Sequence, residues 1–277
     1  MRAMAAINPD ELLLAYRLGI FPMAESRTAE SVLWVRPSER GIIPLDRFHV
    51  PRRLARTVRT DRYEVRVDTA FGQVIRACAA TAPGRRETWI NQAIIDVFET
   101  LHARGLAHSV ETWHEGELAG GVYGLGIGAA FFAESKFSRA TDASKVALVH
   151  LVARLKVGGY RLLDAQFPNP HLEQFGATAV SELKFEALLA DALSRQADFD
   201  YWPGKVPTPT SSSTGSSGAG VGAASGVGIV TGPGVATVSG AAATVVAGRC
   251  EKARVTTGGA GGGGAGSSVM QLITQTS

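Results

Sequence analysis

An α+β fold is predicted by two observations on the residue order. Helical and strand periods alternate without a regular strand–helix–strand repeat, and an antiparallel meander occupies the middle of the chain. A third observation sets the limit of the fold. From Val206 to Ser277 there is no Phe, Trp or Tyr, 17 of the 32 glycines lie there, and the charges are Arg249, Glu251, Lys252 and Arg254 alone. The folding part is therefore expected within residues 1–205, enough to bury a proper core. It divides into a small N-terminal α/β layer at 1–60 and a larger domain at 61–205. The second domain is expected to hold a mixed, largely antiparallel sheet with flanking helices. Residues 206–277 lack the large apolar side chains that offset ordering entropy, and are expected to be a disordered tail whose removal is silent.

Asn8, Pro9 and Glu11 mark a helix start, and Gly19 its end. Ile20-Phe21-Pro22 leaves as an extended turn, because the residue before proline is pushed out of the helical region. Leu33-Trp34-Val35 and Gly41-Ile42-Ile43 read as short strands, and Tyr63 to Val67 as an alternating one. Asp68 is placed to cap a helix through Ala80, Pro83-Gly84 breaks the chain, and Asn91 caps a helix that Gly105 closes. The period then changes to two. His108 to Trp113 and Leu118 to Tyr123 form a hairpin about His114-Glu115-Gly116-Glu117, and Ala129 to Ala133 adds a third strand. Ser144 to Val157 reads as a helix stopped by Gly158-Gly159, Tyr160 to Phe167 as a buried strand, and Ser181 to Ser194 as a last amphipathic helix. This order is that of an acetyltransferase-like (GNAT-like) fold, an analogy that carries no function by itself.

Composition excludes several classes. Cys78 and Cys250 are too few and too far apart for a zinc site or a disulfide framework. No apolar run reaches the ~18 residues of a membrane span, and a signal-peptide layout is lacking, so a soluble, reducing-compartment protein is expected. Net charge is only +3, but seven arginines (Arg47, Arg52, Arg53, Arg56, Arg59, Arg62, Arg66) crowd one stretch, and Arg85 and Arg86 follow. Such a stripe either neutralises phosphates of a nucleic acid or is a solvated basic face.

The chemistry-bearing candidates are few. Asp164 and Gln166 share one face of a strand whose neighbours Leu162, Leu163 and Phe167 are apolar. A carboxylate there can orient the amide, and the amide can meet a reacting group. The other reading is a local cap on Asn169-Pro170-His171. Glu134 emerges from the apolar strand, placed either to hold an amine or to pair with Lys136, Arg139 or Lys145. His108 and Glu111 fall on opposite strand faces, and His108 reads as a core histidine. The run Gly120 to Gly128 lies between strands and opens no helix, so it is not a dinucleotide fingerprint; strand glycines permit bulges or close backbone approach, here to a ligand. Metal-ligand spacing, a nucleophile elbow and a phosphate-binding lysine loop are all missing. Catalysis by positioning an activated acyl donor remains.

Several stretches together resemble the leucyl/phenylalanyl-tRNA–protein transferase family. They are Leu14-Ala15-Tyr16-Arg17-Leu18-Gly19-Ile20-Phe21-Pro22, Ala70-Phe71-Gly72-Gln73-Val74-Ile75, Thr88-Trp89-Ile90 and Ala107-His108-Ser109-Val110-Glu111. Gly120-Gly121-Val122-Tyr123-Gly124, Glu134-Ser135-Lys136-Phe137-Ser138, Ala143-Ser144-Lys145 and Leu163-Asp164-Ala165-Gln166 follow in the family's order. The resemblance implies transfer of Leu or Phe, less often Met, from aminoacyl-tRNA to the α-amino group of proteins beginning with Arg or Lys, marking them for degradation. It also implies a cytoplasmic monomer that acts without a cofactor, a metal or a membrane. By the same resemblance Asp164 and Gln166 are catalytic, at the reacting ester carbonyl, and Glu134 lies near the donor's amino group. Tyr16, Trp89 and Met23 line the donor end, and Phe132 and Ser144 belong to the substrate pocket, with Leu148 and Val149 as further candidates. Met23 stands where the family often has Trp, and stacks poorly on a base. Ala165 replaces a common Cys. Arg52, Arg53 and Arg56 are the expected contacts to the tRNA acceptor stem. Two rival readings are a coenzyme A-dependent N-acyltransferase and a non-enzymatic tRNA-binding protein. The first is disfavoured by the connection Glu134 to Ala143, which holds no glycine for a pyrophosphate loop.

Overall fold

The computed structural model describes residues 6–81, 87–202 and 265–274. The expected break at Pro83-Gly84, Arg85, Arg86 and the stretch 206–264 lie outside the described residues. In chain order the elements are α1 (Pro9–Arg17), β1 (Phe21–Met23), β2 (Leu33–Val35), β3 (Glu39–Ile42), α2 (Arg52–Arg59), β4 (Glu64–Val67), α3 (Phe71–Ala79) and α4 (Gln92–Ala103). There follow β5 (Ala107–His114), β6 (Glu117–Ile127), β7 (Ala130–Ser138), α5 (Ala143–Val157), β8 (Leu162–Asp164), α6 (Pro170–Glu173), β9 (Thr178–Ser181), α7 (Glu182–Leu193) and α8 (Ala265–Thr274).

β1 and β2 form a small sheet, and the other seven strands form one sheet in the order β4-β5-β6-β7-β8-β3-β9. Its first half is the expected antiparallel meander. β7 then crosses through α5 to a parallel neighbour, β8, with Phe132 opposite Asp164. Because successive side chains of a strand point to opposite faces, Phe131 and Phe132 enter different cores. Phe132 packs with Tyr16, Phe71, Ile75, Ile94 and Phe98 from α1, α3 and α4. Phe131 packs with Leu54, Val58, Leu148 and Leu151 from α2 and α5. The sheet is thus covered by helices on both faces, as expected of the α+β class.

Four expectations change. β3, assigned from sequence to the N-terminal layer, is instead a strand of the main sheet, paired antiparallel with both β8 and β9. The glycine run, except Gly128, lies inside β6, where the pairing shifts between Tyr123 and Gly124. A Cβ on Gly124 would fall 2.3 Å from the Phe132 carbonyl, so the glycine admits a neighbouring strand and not a ligand. Asp68 does not cap α3. It takes a positive φ of 57° and accepts from the Ser109 N–H, while Glu111 of β5 accepts from Ala70 N–H at 3.2 Å, at the head of α3. Finally, β8 is shorter than the Tyr160–Phe167 run, and Asn169 caps α6 through His171 N–H, which removes the local capping role considered for Asp164.

The chain end also differs from expectation. α8 packs on α2 and α5, with Val269, Met270 and Ile273 buried, and Lys156 Nζ donates to the Ile273 carbonyl at 2.9 Å. The apolar spacing 269, 270, 273 supplies one helix face; the absence of aromatic residues concealed it. Burying three such side chains stabilises by about 1.5–3 kcal/mol each, of which ordering the helix offsets more than half. Truncation after Lys205 is therefore expected to cost on the order of 2 kcal/mol and lower Tm by about 4–8 °C. Calorimetry of the full and truncated chains checks this; equal melting temperatures would show that α8 contributes nothing.

Candidate active site

The site is built where β7 and β8 run side by side and β3 closes against β8. Gly41 makes this closure possible: a Cβ there would lie 2.4 Å from the Phe167 carbonyl. The backbone after β8 folds over it, with Gly41 N–H donating to the Gln166 carbonyl at 3.0 Å and Ala165 N–H to the Gly41 carbonyl at 2.9 Å. Gln166 leaves the strand with a φ of +57°, a conformation that costs free energy for a residue with a Cβ and persists because its neighbours over-determine it. One such neighbour is Asp164, whose Oδ1 accepts the Gln166 N–H at 2.9 Å.

Asp164 is fully buried, and its counter-charge is Arg40 of β3. Arg40 Nε donates to Asp164 Oδ1 at 2.8 Å and Nη2 to Oδ2 at 2.6 Å, a two-pronged pairing that suits the planar guanidinium. Arg40 Nη1 donates to the Gly19 carbonyl at 2.8 Å, just after α1. The guanidinium lies 4.7 Å from the Phe21 ring centroid and 4.4 Å from that of Phe185, two aromatic faces that attract a desolvated cation.

Gln166 Nε2 donates to Glu134 Oε1 at 2.9 Å. Burial pushes the Glu134 carboxyl up to about 8, with the Asp164 carboxylate adding to the rise and Tyr16, Arg40 and Gln166 opposing it. Two of the three expected salt-bridge partners are engaged elsewhere: Lys145 pairs with Asp142, and Arg139 Nη1 donates to the Leu118 carbonyl. Above Glu134 lies an aromatic cluster. Tyr16 meets Phe132 edge-on at 4.9 Å, and Tyr123 meets Phe98 at 5.4 Å. Burial, then the Glu134 charge, holds both phenols protonated well above their ordinary range. Among the described residues, Glu134 Oε2 and the Tyr16 and Tyr123 hydroxyls are buried without a hydrogen-bond partner of good geometry. The Tyr16 hydroxyl and the Glu134 carboxyl interact with each other, and with the Tyr123 hydroxyl they make a buried polar set whose hydrogen bonding is incomplete.

The structure thus brings together Asp164, Gln166, Glu134, Tyr16 and Phe132. Met23 and Trp89 are half-buried on the same core, and their segments are joined by Ala24 N–H donating to the Trp89 carbonyl at 2.9 Å. Ser144 lies at the head of α5, its N–H bonded to Ser138 Oγ at 3.2 Å, further along β7 than Glu134. Arg52, Arg53 and Arg56 are exposed on α2, while Leu54, Ala55 and Val58 on its other face are buried. Two other arginines of the stripe are paired, Arg66 with Glu64 at 2.7 Å and Arg47 with Asp46 at 3.8 Å. Arg40 and Tyr123 escaped the sequence reading. Arg40 sits at period two from the buried Ile42, a charge on the apolar face of a strand, and that is the signal that marks it.

With this geometry established, comparison with known proteins decides the family. A family model described as leucyl/phenylalanyl-tRNA protein transferase matches residues 42–190, and its N-terminal domain model matches residues 5–38. The chain belongs to the leucyl/phenylalanyl-tRNA protein transferase family. A relative of that name from Paramagnetospirillum magneticum is 57% identical over 197 residues, covering 71% of this chain and 94% of the relative. One from Caulobacter vibrioides is 56% identical over 194 residues, covering 70% and 89%, and one from Rhodopseudomonas palustris 56% over 201 residues, covering 73% and 89%. This transferase chain carries no helix, among the described residues, long and apolar enough to cross a membrane.

The raised Glu134 carboxyl makes a stability prediction. Its folded value of about 8 exceeds the ordinary 4.5, so between those values the folded state holds a proton that the unfolded chain has lost. Stability from this group is then fully present below about 4.5 and is lost as pH rises toward 8. Glu134→Gln removes the titration and is expected to gain on the wild type by a few kcal/mol between about pH 5 and pH 8.5. Urea unfolding at both pH values measures the gap, and parallel pH dependences would contradict a buried neutral carboxyl.

Proposed function

We propose that the niche of Glu134, Gln166 and Tyr16 seats the aminoacyl end of an aminoacyl-tRNA, and that its amino acid passes there to the α-amino group of a protein beginning with Arg or Lys. The chain is a transferase of aminoacyl groups from tRNA to protein; the finer choice of acceptor, and a cytoplasmic monomer that marks proteins for degradation, are part of this reading. The observation that carries it is the chain of contacts from Arg40 through Asp164 and Gln166 to Glu134, buried between the middle of β7 and the end of β8.

In this reading Glu134 Oε2 and the Tyr16 hydroxyl receive the donor's α-ammonium, a hydrogen-bonding cation suited to unpartnered acceptors in a dry niche. Phe132 and the neighbouring aromatic rings line the side-chain pocket. Gln166 spends one amide hydrogen on Glu134, leaving its carbonyl oxygen to accept from the attacking amine. The amine nitrogen adds to the ester carbonyl, the bond to the ribose oxygen breaks, and that oxygen leaves with the proton released by the amine. The ester is already activated, so holding nucleophile and carbonyl at contact distance supplies most of the acceleration. Trp89 is the face for the terminal base, and Met23 packs beside it without stacking. Arg52, Arg53 and Arg56 meet the phosphates of the acceptor stem.

Incubation with Phe-tRNA and a peptide beginning with Arg is expected to yield a Phe-extended peptide, and a peptide beginning with Glu is not extended. Failure to extend the Arg peptide would overturn the reading. Reversing the charge of Arg52, Arg53 and Arg56 is expected to weaken tRNA binding and to reduce the slope of log K against log salt by about 2–3. An unchanged slope would leave α2 a solvated surface.

A further inference from the structure

We propose that Arg40 is a positioning residue of the transfer reaction: it locks Asp164 as an ion-paired scaffold for the Gln166 turn, so that Asp164 takes no proton itself. The inference rests on the transfer reading above and deepens it. Three acceptor directions of Asp164, two on one oxygen and one on the other, are occupied within the fold. Oδ1 takes Arg40 Nε at 2.8 Å and the Gln166 N–H at 2.9 Å, and Oδ2 takes Arg40 Nη2 at 2.6 Å. A carboxylate so engaged, with no exposed surface, is committed to the guanidinium and the turn and not to an attacking amine. Its consequence for chemistry passes through the backbone: the bond to Gln166 N–H holds that residue at a φ of +57°, which aims the side chain at Glu134.

Arg40 ties this turn to the other walls of the niche. Its third donor group reaches the Gly19 carbonyl at the end of the helix that carries Tyr16, and its face is clamped by Phe21 and Phe185 from β1 and α7. A single guanidinium therefore sets the distance between Tyr16 and the Gln166 turn. Lysine, with one point charge on a flexible stem, cannot satisfy both carboxylate oxygens and the Gly19 carbonyl together.

The test compares the wild type with Arg40→Lys, Arg40→Gln, Asp164→Asn and the double variant Arg40→Gln with Asp164→Asn. The assay is Phe transfer from Phe-tRNA to an Arg-initiated peptide, with tRNA affinity and Tm measured alongside. Arg40→Lys is expected to keep tRNA affinity within about two-fold while the transfer rate at saturating substrates falls about 10–100-fold, the scale of an ångström-sized misplacement. The double variant restores a neutral, hydrogen-bonded pair and is expected to be no slower than the slower single variant. If Arg40→Lys fails to fold, the double variant decides. Losses that multiply in the double variant would show that Asp164 acts on protons independently and overturn the proposal. So would a transfer rate unchanged in Arg40→Lys, or a loss matched by an equal loss of tRNA affinity. A wild type that transfers no Phe sinks the functional reading itself, and with it the role given to Arg40.

Discussion

An arginine with 1% of its surface exposed must find partners for its donors and cover for its plane; each guanidinium nitrogen of Arg40 has an acceptor, and the rings of Phe21 and Phe185 pack against the group. The cost of stripping water from such a charge is several kcal/mol, and an ion pair returns it only when the geometry is good on every side. That requirement ties distant stretches of chain together. Asp164 lies 124 positions away along the chain, Gly19 lies 21 away, and Phe185 comes from a helix beyond both sheet neighbours of β3. Removing either partner would leave the other charged and unpaired in a dry core. The arrangement is therefore held as a unit, and the positive-φ turn at Gln166 is held with it.

The same requirement explains why β3 belongs to the main sheet. Between β8 and β9, its residue Arg40 can reach the end of β8, and Gly41 lets the backbone beyond Asp164 close over the strand. Seen as chain order alone, the segment carrying Arg40 sits among N-terminal elements, and nothing local indicates which strand it will pair with. Long-range pairing is decided by which faces must be buried together, and that information is spread over the chain.

Legibility in the sequence followed this division. Asp164 and Gln166 could be placed on one strand end because period two is local, and Glu134 because it closes an apolar run. The helices from Pro9, Gln92 and Ala143 could be placed from a cap or a glycine stop, and the one from Glu182 from its amphipathic pattern. The residues that complete the site are those whose role is non-local: Arg40, whose partner lies across the sheet, and Tyr123, hidden inside a glycine-rich strand. α8 was concealed for a different reason. A short face of Val269, Met270 and Ile273 needs a preformed groove between α2 and α5, and in isolation its composition reads as unstructured.

One cation between two carboxylates has a further consequence. Arg40 gives its two-pronged contact to Asp164, and Glu134 is left with the amide of Gln166 and two aromatic hydroxyls nearby. Burial then favours the neutral form of Glu134, and its carboxyl rises to about 8. A site of this kind is poised for a cation: an arriving ammonium supplies the missing positive charge and draws the carboxyl back toward its ionised form. In the proposed reaction the donor's α-ammonium is that cation. Asp164 and Glu134 are the same chemistry in two environments, one ion-paired with Arg40, the other without a cation and, in the proposed reaction, the one that meets substrate. The guanidinium that divides them so belongs to a strand that bears no reacting group.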